Sequence, residues 1–564
     1  MFGLMQDQPL LISSLIAHAE RHHGNTQVVA RRIDGQIFRS SWKETAQNAR
    51  RLANALTRMG LKTSDRVGTL AWNGDRHLVL YYGVSGAGMV LHTINPRLHA
   101  DQLAWMINDA QDQAVFFDGT FLGLIQRVAD HCPGVRYWVM LSPPSAASQA
   151  NPTASAFPLA EGPNVAGAAP RLFDELIADE SDAYDWPDFD ERLASSLCYT
   201  SGTTGNPKGA LFSHRSTLLH AYGASLPDSL GLSARDAVMP VVPMFHVNAW
   251  GMPYSTAAVG CKLILPGPFL DGASLYSLIE DEGVTLSAGV PTVWQSVLQH
   301  TSTTNKKFSR FKRVVIGGSA CPPAIIRQFA DQYGVTVLHA WGMTEVSPLG
   351  LFSSLKNSQS QLSEEAKAEI QVKQGRVIFG IDIKIVNDQG EELPWDGQSS
   401  GHLLVRGPWV IDRYFGALAE QELLQKDAHG RGWFATGDVA SIDPDGFVLI
   451  TDRSKDVIKS GGEWISSIAL ENIAMAHPAV AMAACIGRPD PKWDERPVIF
   501  VVVKKDMQVT KQALLVFYEG KLPKWQIPDD VIFVDAIPLG PTGKMQKMDL
   551  RQKSVREMQG RGEK

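Results

Sequence analysis

Residues 199–209 read Tyr-Thr-Ser-Gly-Thr-Thr-Gly-Asn-Pro-Lys-Gly. Thr200, Ser201, Thr203 and Thr204 supply hydroxyls, Gly202 and Gly205 let backbone N–H groups approach a ligand closely, and Lys208 adds a cation. Converging N–H and O–H donors beside a positive charge suit phosphate oxygens. The spacing is not that of a Walker loop, because Pro207 precedes Lys208 and Gly209 follows it. Other templates fail more plainly. Gly86-Ala87-Gly88 lacks the third glycine of a dinucleotide fingerprint, Leu91 standing in its place. Gly317-Gly318-Ser319-Ala320-Cys321 ends in the wrong residue for a nucleophile elbow. His18 and His22 lie four apart without the HExxH order and read as exposed histidines.

The elements that must position such a loop alternate between helix and strand. Ser41-Trp42-Lys43-Glu44 forms a capping box, and Trp42, Ala46, Ala49, Leu52, Ala53 and Leu56 follow at helical spacing up to Gly60. Val67 to Trp72 reads as a buried strand, with a helix beginning near Asp75. The same alternation runs through 259–265, 275–282 and 314–316, a pattern of parallel sheets covered by helices. Residues 142–170, rich in Pro, Ala, Ser and Gly, read as a mobile surface insertion, and 353–373 as a polar surface excursion. Val439–Ile442 and Phe447–Ile450 flank Pro444-Asp445-Gly446, a hairpin signal. The charged stretch 452–456 reads as a linker, giving an N-terminal domain 1–451 and a C-terminal domain 457–564.

Composition sets outer limits. The chain has 564 residues, 44% of them hydrophobic and 20% charged, which suits several packed domains and excludes fibrous or mostly disordered classes. A formal net charge of −6 implies no bulk attraction to nucleic acid or to an anionic membrane. Five scattered cysteines form no CxxC pair, so neither a disulfide framework nor a cysteine zinc site is expected. No run of about 18 uncharged apolar residues suggests a transmembrane span. The first 16 residues carry Asp7 and lack the basic and apolar regions of a leader, so a cytoplasmic location is expected.

Residues 200–209 resemble the signature loop of the adenylate-forming superfamily, which comprises acyl- and aryl-CoA synthetases, adenylation domains and luciferases. Four further segments match in order: Trp341-Gly342-Met343-Thr344-Glu345, Thr436-Gly437-Asp438, Asp452-Arg453-Ser454-Lys455-Asp456 with Ser460-Gly461-Gly462-Glu463, and Pro541-Thr542-Gly543-Lys544. The resemblance spans nearly the whole chain. It implies an α/β fold: a large N-terminal domain of two helix-covered α/β subdomains plus a small β-barrel, and a small mobile α+β C-terminal domain.

The resemblance also implies roles. Thr200 to Lys208 would hold the ATP phosphates. Trp341 would face the adenine, with Gly318, Ser319 and Ala320 on its other side and His339, Ala340, Gly342, Met343 and Ile450 nearby. Thr344 would bind the α-phosphate, and Glu345 with Thr200 would hold Mg²⁺, a cation suited to hard oxygen donors. Asp438 would take the ribose hydroxyls, assisted by Arg453. Lys544 would be the central catalytic residue. A carboxylate approaching a triphosphate meets like charge, and an ammonium between them at ~4 Å offsets about 4 kcal/mol at an effective dielectric of about 20. Lys544 and the phosphate loop lie in different domains, so Lys455 would serve as hinge. Lys459, Ser460, Gly461, Gly462, Glu463, Trp464 and Trp525 would meet coenzyme A once the small domain has turned.

The acid pocket is implied by Pro243 to Gly251, which resembles that of fatty-acyl-CoA ligases. His246 (at the pocket mouth), Val247, Trp250, Gly251, Gly289, Val290, Gly318, Gly342 and Met343 would line it. No aspartate occurs between Met244 and Tyr254, which disfavours amino-acid activation. Gly342 stands where acetate enzymes carry a second tryptophan, leaving room for a longer acid. The expected activity is therefore an ATP-dependent acid–CoA ligase. Its substrate would be a short- to medium-chain aliphatic acid such as a fatty acid or 3-methylmercaptopropionate. The alternatives are a long-chain or aryl acid, or another acceptor such as a carrier protein or oxygen. Related fatty-acyl ligases suggest a homodimer.

Overall fold

The structure is a computed structural model that describes residues 1, 3–146, 164–200, 206–416, 421–461, 463–539 and 545–552, with residues 153, 157, 160 and 162 between the second and third of these stretches. Two large sheets dominate. One has seven strands in the order Arg171–Leu172, Tyr137–Ser142, Asp112–Asp118, Arg66–Leu70, Val90–Thr93, Ala194–Tyr199 and Gly209–Ser213, parallel except for the last. The other has nine strands, with a parallel run through Thr336–Gly342, Arg313–Ile316, Leu286–Gly289, Ala237–Pro240, Lys262–Leu265 and Gln27–Arg31.

Helices cover these sheets because their apolar residues fall on one stripe. In Trp42–Arg58, Ala46, Ala49, Leu52, Ala53 and Leu56 are buried, and Ser41 Oγ accepts from the Glu44 N–H, as the capping box predicts. This helix lies close against Asp75–Gly86. A Cβ at Gly83 would come within 2.9 Å of the Ala49 carbonyl oxygen, so only glycine permits that approach.

A third sheet is antiparallel: Asp382–Val386, Ser400–Arg406, Gly432–Ile442 and Leu424–Lys426, with Val448–Arg453 also paired to Gly432–Ile442. This sheet stands where the small barrel was expected, and among the described residues no pairing joins its edge strands. The C-terminal unit builds a separate core on the strands Ile458–Ser460, Glu463–Ile465, Val480–Asp490, Asp494–Val503 and Asp530–Phe533, covered by the helices Ser467–Met475 and Lys511–Tyr518.

Two details differ from the sequence reading. Asp452 and Arg453 complete a strand, so only 454–456 form the turn between the units. Within 142–170, Phe157 sets its ring 4.7 Å from Phe121 and 5.8 Å from Trp72, and Val165 is buried. These apolar anchors tie part of that segment to the core, and 147–152 lie outside the described residues. The excursion 353–373 does contain a half-exposed helix, Glu364–Val372, capped by Ser363.

Candidate active site

The residues expected to meet the nucleotide gather where parallel strands end. Thr200 follows Ala194–Tyr199, Gly317 to Ala320 follow Arg313–Ile316, and Gly342 to Glu345 close and follow Thr336–Gly342. Carboxyl ends of parallel strands are where open α/β sheets place their ligands.

At the nucleoside end, Trp341 donates its indole N–H to Asp438 Oδ2 at 2.8 Å. Arg453 Nε lies 2.9 Å from Asp438 Oδ1 and donates a further bond to the Thr436 carbonyl. The hairpin register sets Asp438 opposite Arg453, which is why two residues 15 apart meet. Gly350 lies under the indole, since a Cβ there would come 2.7 Å from Trp341 Cζ3. Ile450 is half-buried and donates its N–H to Gln374 Oε1 at 2.6 Å.

At the phosphate end, the loop is pinned at its base: the Thr200 N–H donates to the Lys208 carbonyl, and the Lys208 N–H donates to Thr200 Oγ1. Ser201, Gly202, Thr203, Thr204 and Gly205 lie outside the described residues. Lys208 Nζ sits 5.0 Å over the Tyr414 ring, and the Tyr414 hydroxyl donates to Glu345 Oε1 at 2.8 Å. Burial, together with Glu345, pushes the Tyr414 phenol well above its ordinary range, so it stays a donor. Tyr414 thereby joins Lys208 to Glu345. The sequence reading missed it because it stands 69 residues from Glu345 with no motif around it.

Gly318, at φ +80°, permits the turn after its strand, and Ser319 is exposed beside it. His339 plays a different part from the one expected: it is 1% exposed, its Nε2 accepts from the Cys321 N–H and its Nδ1 meets the Val372 carbonyl. Both ring nitrogens hold backbone, and burial lowers its pKa to about 4, so the ring supports the 318–321 loop from behind. Ala340 and Thr344 are likewise buried, and Met343 donates its N–H to the Pro348 carbonyl. Gly342 admits no side chain, since a Cβ would meet the Pro348 carbonyl oxygen at 1.9 Å.

The segment 247–251 has unusual backbone. Val247, Asn248, Ala249 and Trp250 have φ of 45°, 53°, 48° and 57°, followed by Gly251 at 75°. Left-handed conformation costs about 1–2 kcal/mol per non-glycine residue, so the surroundings must enforce it. The turn sets Trp250 against the glycines after Arg313–Ile316: Cβ atoms at Gly317 and Gly318 would lie 3.1 Å and 3.9 Å from its ring, and one at Gly318 would lie 3.3 Å from Val290. Trp250, Gly318 and Val290 therefore lie side by side. Gly251 lies on the His220 ring and Gly289 on Trp294. His246 precedes the turn in extended conformation.

On the C-terminal unit, Arg551 donates to the Lys455 carbonyl. Lys459 donates its N–H to Glu495, and Ser460 Oγ accepts from Arg496, which also donates to the carbonyl of half-exposed Trp525. Gly461, at φ +62°, lies on Trp493 and donates its N–H to the Trp493 carbonyl. Trp493 and Arg496 thus hold Gly461 and Ser460 in place, contacts the sequence did not signal. Trp464 lines a cavity of about 150 Å³ with Ser400, Thr451 and Gln526. Gly462, Lys544 and the side chain of Glu463 lie outside the described residues. Among the described residues no three His, Cys, Asp or Glu side chains form a metal cage.

The chain matches the model of the AMP-binding enzyme family over residues 15–415 and that of the AMP-binding enzyme C-terminal domain over 469–544. It belongs to the AMP-binding enzyme family, the adenylate-forming superfamily of the motifs. A relative from Ruegeria lacuscaerulensis, named 3-methylmercaptopropionyl-CoA ligase, is 52% identical over 98% of both chains. Another, a medium-chain-fatty-acid–CoA ligase of Ectopseudomonas oleovorans, is 50% identical over 98% of this chain and 97% of its own. Among solved structures, the anthranilate CoA ligase AuaEII in complex with anthranoyl-AMP shares the fold with a TM-score of 0.82 at 22% identity, over 98% of this chain and 100% of that one. No helix among the described residues is long and apolar enough to cross a membrane.

Proposed function

We propose that this ATP-dependent acyl-CoA ligase joins a short- to medium-chain aliphatic acid, such as a fatty acid or 3-methylmercaptopropionate, to coenzyme A through an acyl-adenylate. The observation that carries this is kinship over nearly the full length with two ligases named for those acids. In the first half-reaction a carboxylate oxygen attacks the α-phosphorus and the bond to pyrophosphate breaks. In the second the coenzyme A thiolate attacks the acyl carbon and AMP leaves.

The adenine lies against Trp341, whose indole is fixed by its bond to Asp438. Asp438 also takes the ribose hydroxyls, and Arg453 orients that carboxylate. Lys208 and the 200–205 loop hold the outer phosphates. Buried Glu345, with one oxygen engaged by Tyr414, fits Mg²⁺ shared with Thr200: this cation is held through one or two carboxylates plus substrate phosphates, not by an all-protein cage. Bound there, Mg²⁺ neutralises phosphate charge. Lys544 bridges carboxylate and phosphate in the first step, and rotation about Lys455 then withdraws it. Gly461 and Gly462, with Trp464 and Trp525, admit the pantetheine arm. His246, Val247, Trp250 and Val290 bound the acid, each methylene contributing about 0.8 kcal/mol. By analogy with related fatty-acyl ligases we also propose a homodimer, which light scattering reads, and a cytoplasmic location, which cell fractionation reads.

The test is pyrophosphate release with acids of graded length, 3-methylmercaptopropionate included, with and without coenzyme A. Thioester formation with a maximum among the shorter acids is expected. A maximum beyond twelve carbons, or turnover independent of the thiol, would overturn the assignment.

A further inference from the structure

The left-handed turn 247–250 raises the question of what enforces it. Asn248 is 5% exposed, and its carboxamide is engaged on both sides. Its Nδ2 donates to Ser196 Oγ at 3.0 Å, and its Oδ1 accepts from the Tyr81 hydroxyl at 3.2 Å and faces Cys198 Sγ at 3.6 Å. Ser196 and Cys198 belong to the strand Ala194–Tyr199, which runs directly into the phosphate loop. Tyr81 comes from the helix Asp75–Gly86 and also donates to the Met244 carbonyl. The turn itself belongs to the other sheet, following the strand Ala237–Pro240. One asparagine thus ties the turn to a strand and a helix of the neighbouring subdomain. Asparagine is also among the residue types that best tolerate positive φ.

We infer that Asn248 is a positioning residue for acid length: its carboxamide clamps the left-handed turn and so fixes the Trp250 indole against Gly317 and Gly318 as one wall of the acid pocket. The inference rests on the reading of Trp250 as a pocket wall. Strained backbone held at a site by buried hydrogen bonds relaxes when they are removed. With the clamp gone the indole leaves its seat, and longer acids are admitted. Trp341, Asp438 and Arg453 at the nucleoside end are held by bonds of their own and keep their geometry.

The experiment compares kcat/KM for straight-chain acids from four to twelve carbons in the full-length enzyme, with KM for ATP as internal control. Asn248→Ala is expected to move the preferred length upward by at least two carbons, changing the ratio of long to short acids about tenfold, with KM for ATP within twofold. Asn248→Gly, which keeps the backbone freedom but not the clamp, should behave alike; a wild-type profile for it would overturn the clamp. So would a uniform loss on every acid with the preferred length unmoved. Should Asn248→Ala fail to fold, Ser196→Ala decides, with a smaller shift in the same direction expected and an unchanged length profile counting against the clamp. Trp250→Ala separates the two readings. If it leaves the length profile unchanged, the pocket assignment itself fails. If it shifts the profile while the Asn248 variants do not, only the clamp falls.

Discussion

Lys547→Met should disrupt a buried ionic network that spans the proposed hinge. Lys547 Nζ lies 2.6 Å from Glu471 Oε1, with side-chain exposures of 9% and 4%, and donates to Ser467 Oγ. Asp452, 1% exposed, accepts from the Ser467 N–H at 2.6 Å. Burial pushes the Asp452 and Glu471 carboxyls above their ordinary range, with Lys547 pulling each back. Burial by itself would lower the Lys547 ammonium, and Glu471 and Asp452 carry it above its ordinary value. Removing the cation leaves two buried carboxyls uncompensated, a loss of about 3–5 kcal/mol.

The sign of the pH dependence follows. In the variant both carboxyls ionise at higher pH folded than unfolded, so unfolding releases protons once the pH exceeds about 4. The variant's deficit is therefore larger at pH 8 than at pH 5.5. Urea unfolding followed by tryptophan fluorescence at the two pH values measures it. A loss below about 1 kcal/mol, or the same loss at both pH values, would refute the network. Asp452 precedes Lys455 whereas Ser467, Glu471 and Lys547 follow it, so Asp452→Asn is further expected to change the ratio of the two half-reaction rates.

Trp341→Phe keeps a ring but frees Asp438 of one bond. A hydrogen bond to a charged group contributes about 1.5–3 kcal/mol, so KM for ATP should rise about 10- to 100-fold, and a rise under twofold would deny the indole its place at the nucleotide. Tyr414→Phe should raise the Mg²⁺ concentration needed for half-maximal pyrophosphate release several-fold, and an unchanged Mg²⁺ titration would separate Tyr414 from Glu345's task. Lys544→Ala should nearly abolish adenylate formation while still converting supplied acyl-adenylate to thioester; equal loss of both steps would reassign it. Burial holds His77, His214 and His339 near pKa 4 and His220 near 3, so each takes up a proton on unfolding below about pH 6.5. Each lowers stability by up to about 1.4 kcal/mol per pH unit, while Asp118, raised to about 7, acts in the opposite sense. The urea midpoint should fall between pH 7 and pH 5, and a rising midpoint would mean that these rings are not buried neutral.

Much of the local structure, and the residue types suited to phosphate chemistry, are legible in the order of residues alone. The glycine-hydroxyl-lysine loop, the capped helix Trp42–Arg58 and the 439–450 hairpin are written in neighbouring residues, because donors, caps and turns act over a few positions. The sequence also marked Trp341, Glu345, Asp438 and Arg453 as a set. It could not show that Asp438 holds the Trp341 indole, that Tyr414 links Lys208 to Glu345, or that His339 faces backbone with both nitrogens. Nor could it show four successive residues in left-handed backbone at 247–250, since of Val-Asn-Ala-Trp only the asparagine carries any local preference for it. Such conformations and contacts are fixed by partners 18 to 206 residues away, and only tertiary packing decides which side chains come within reach.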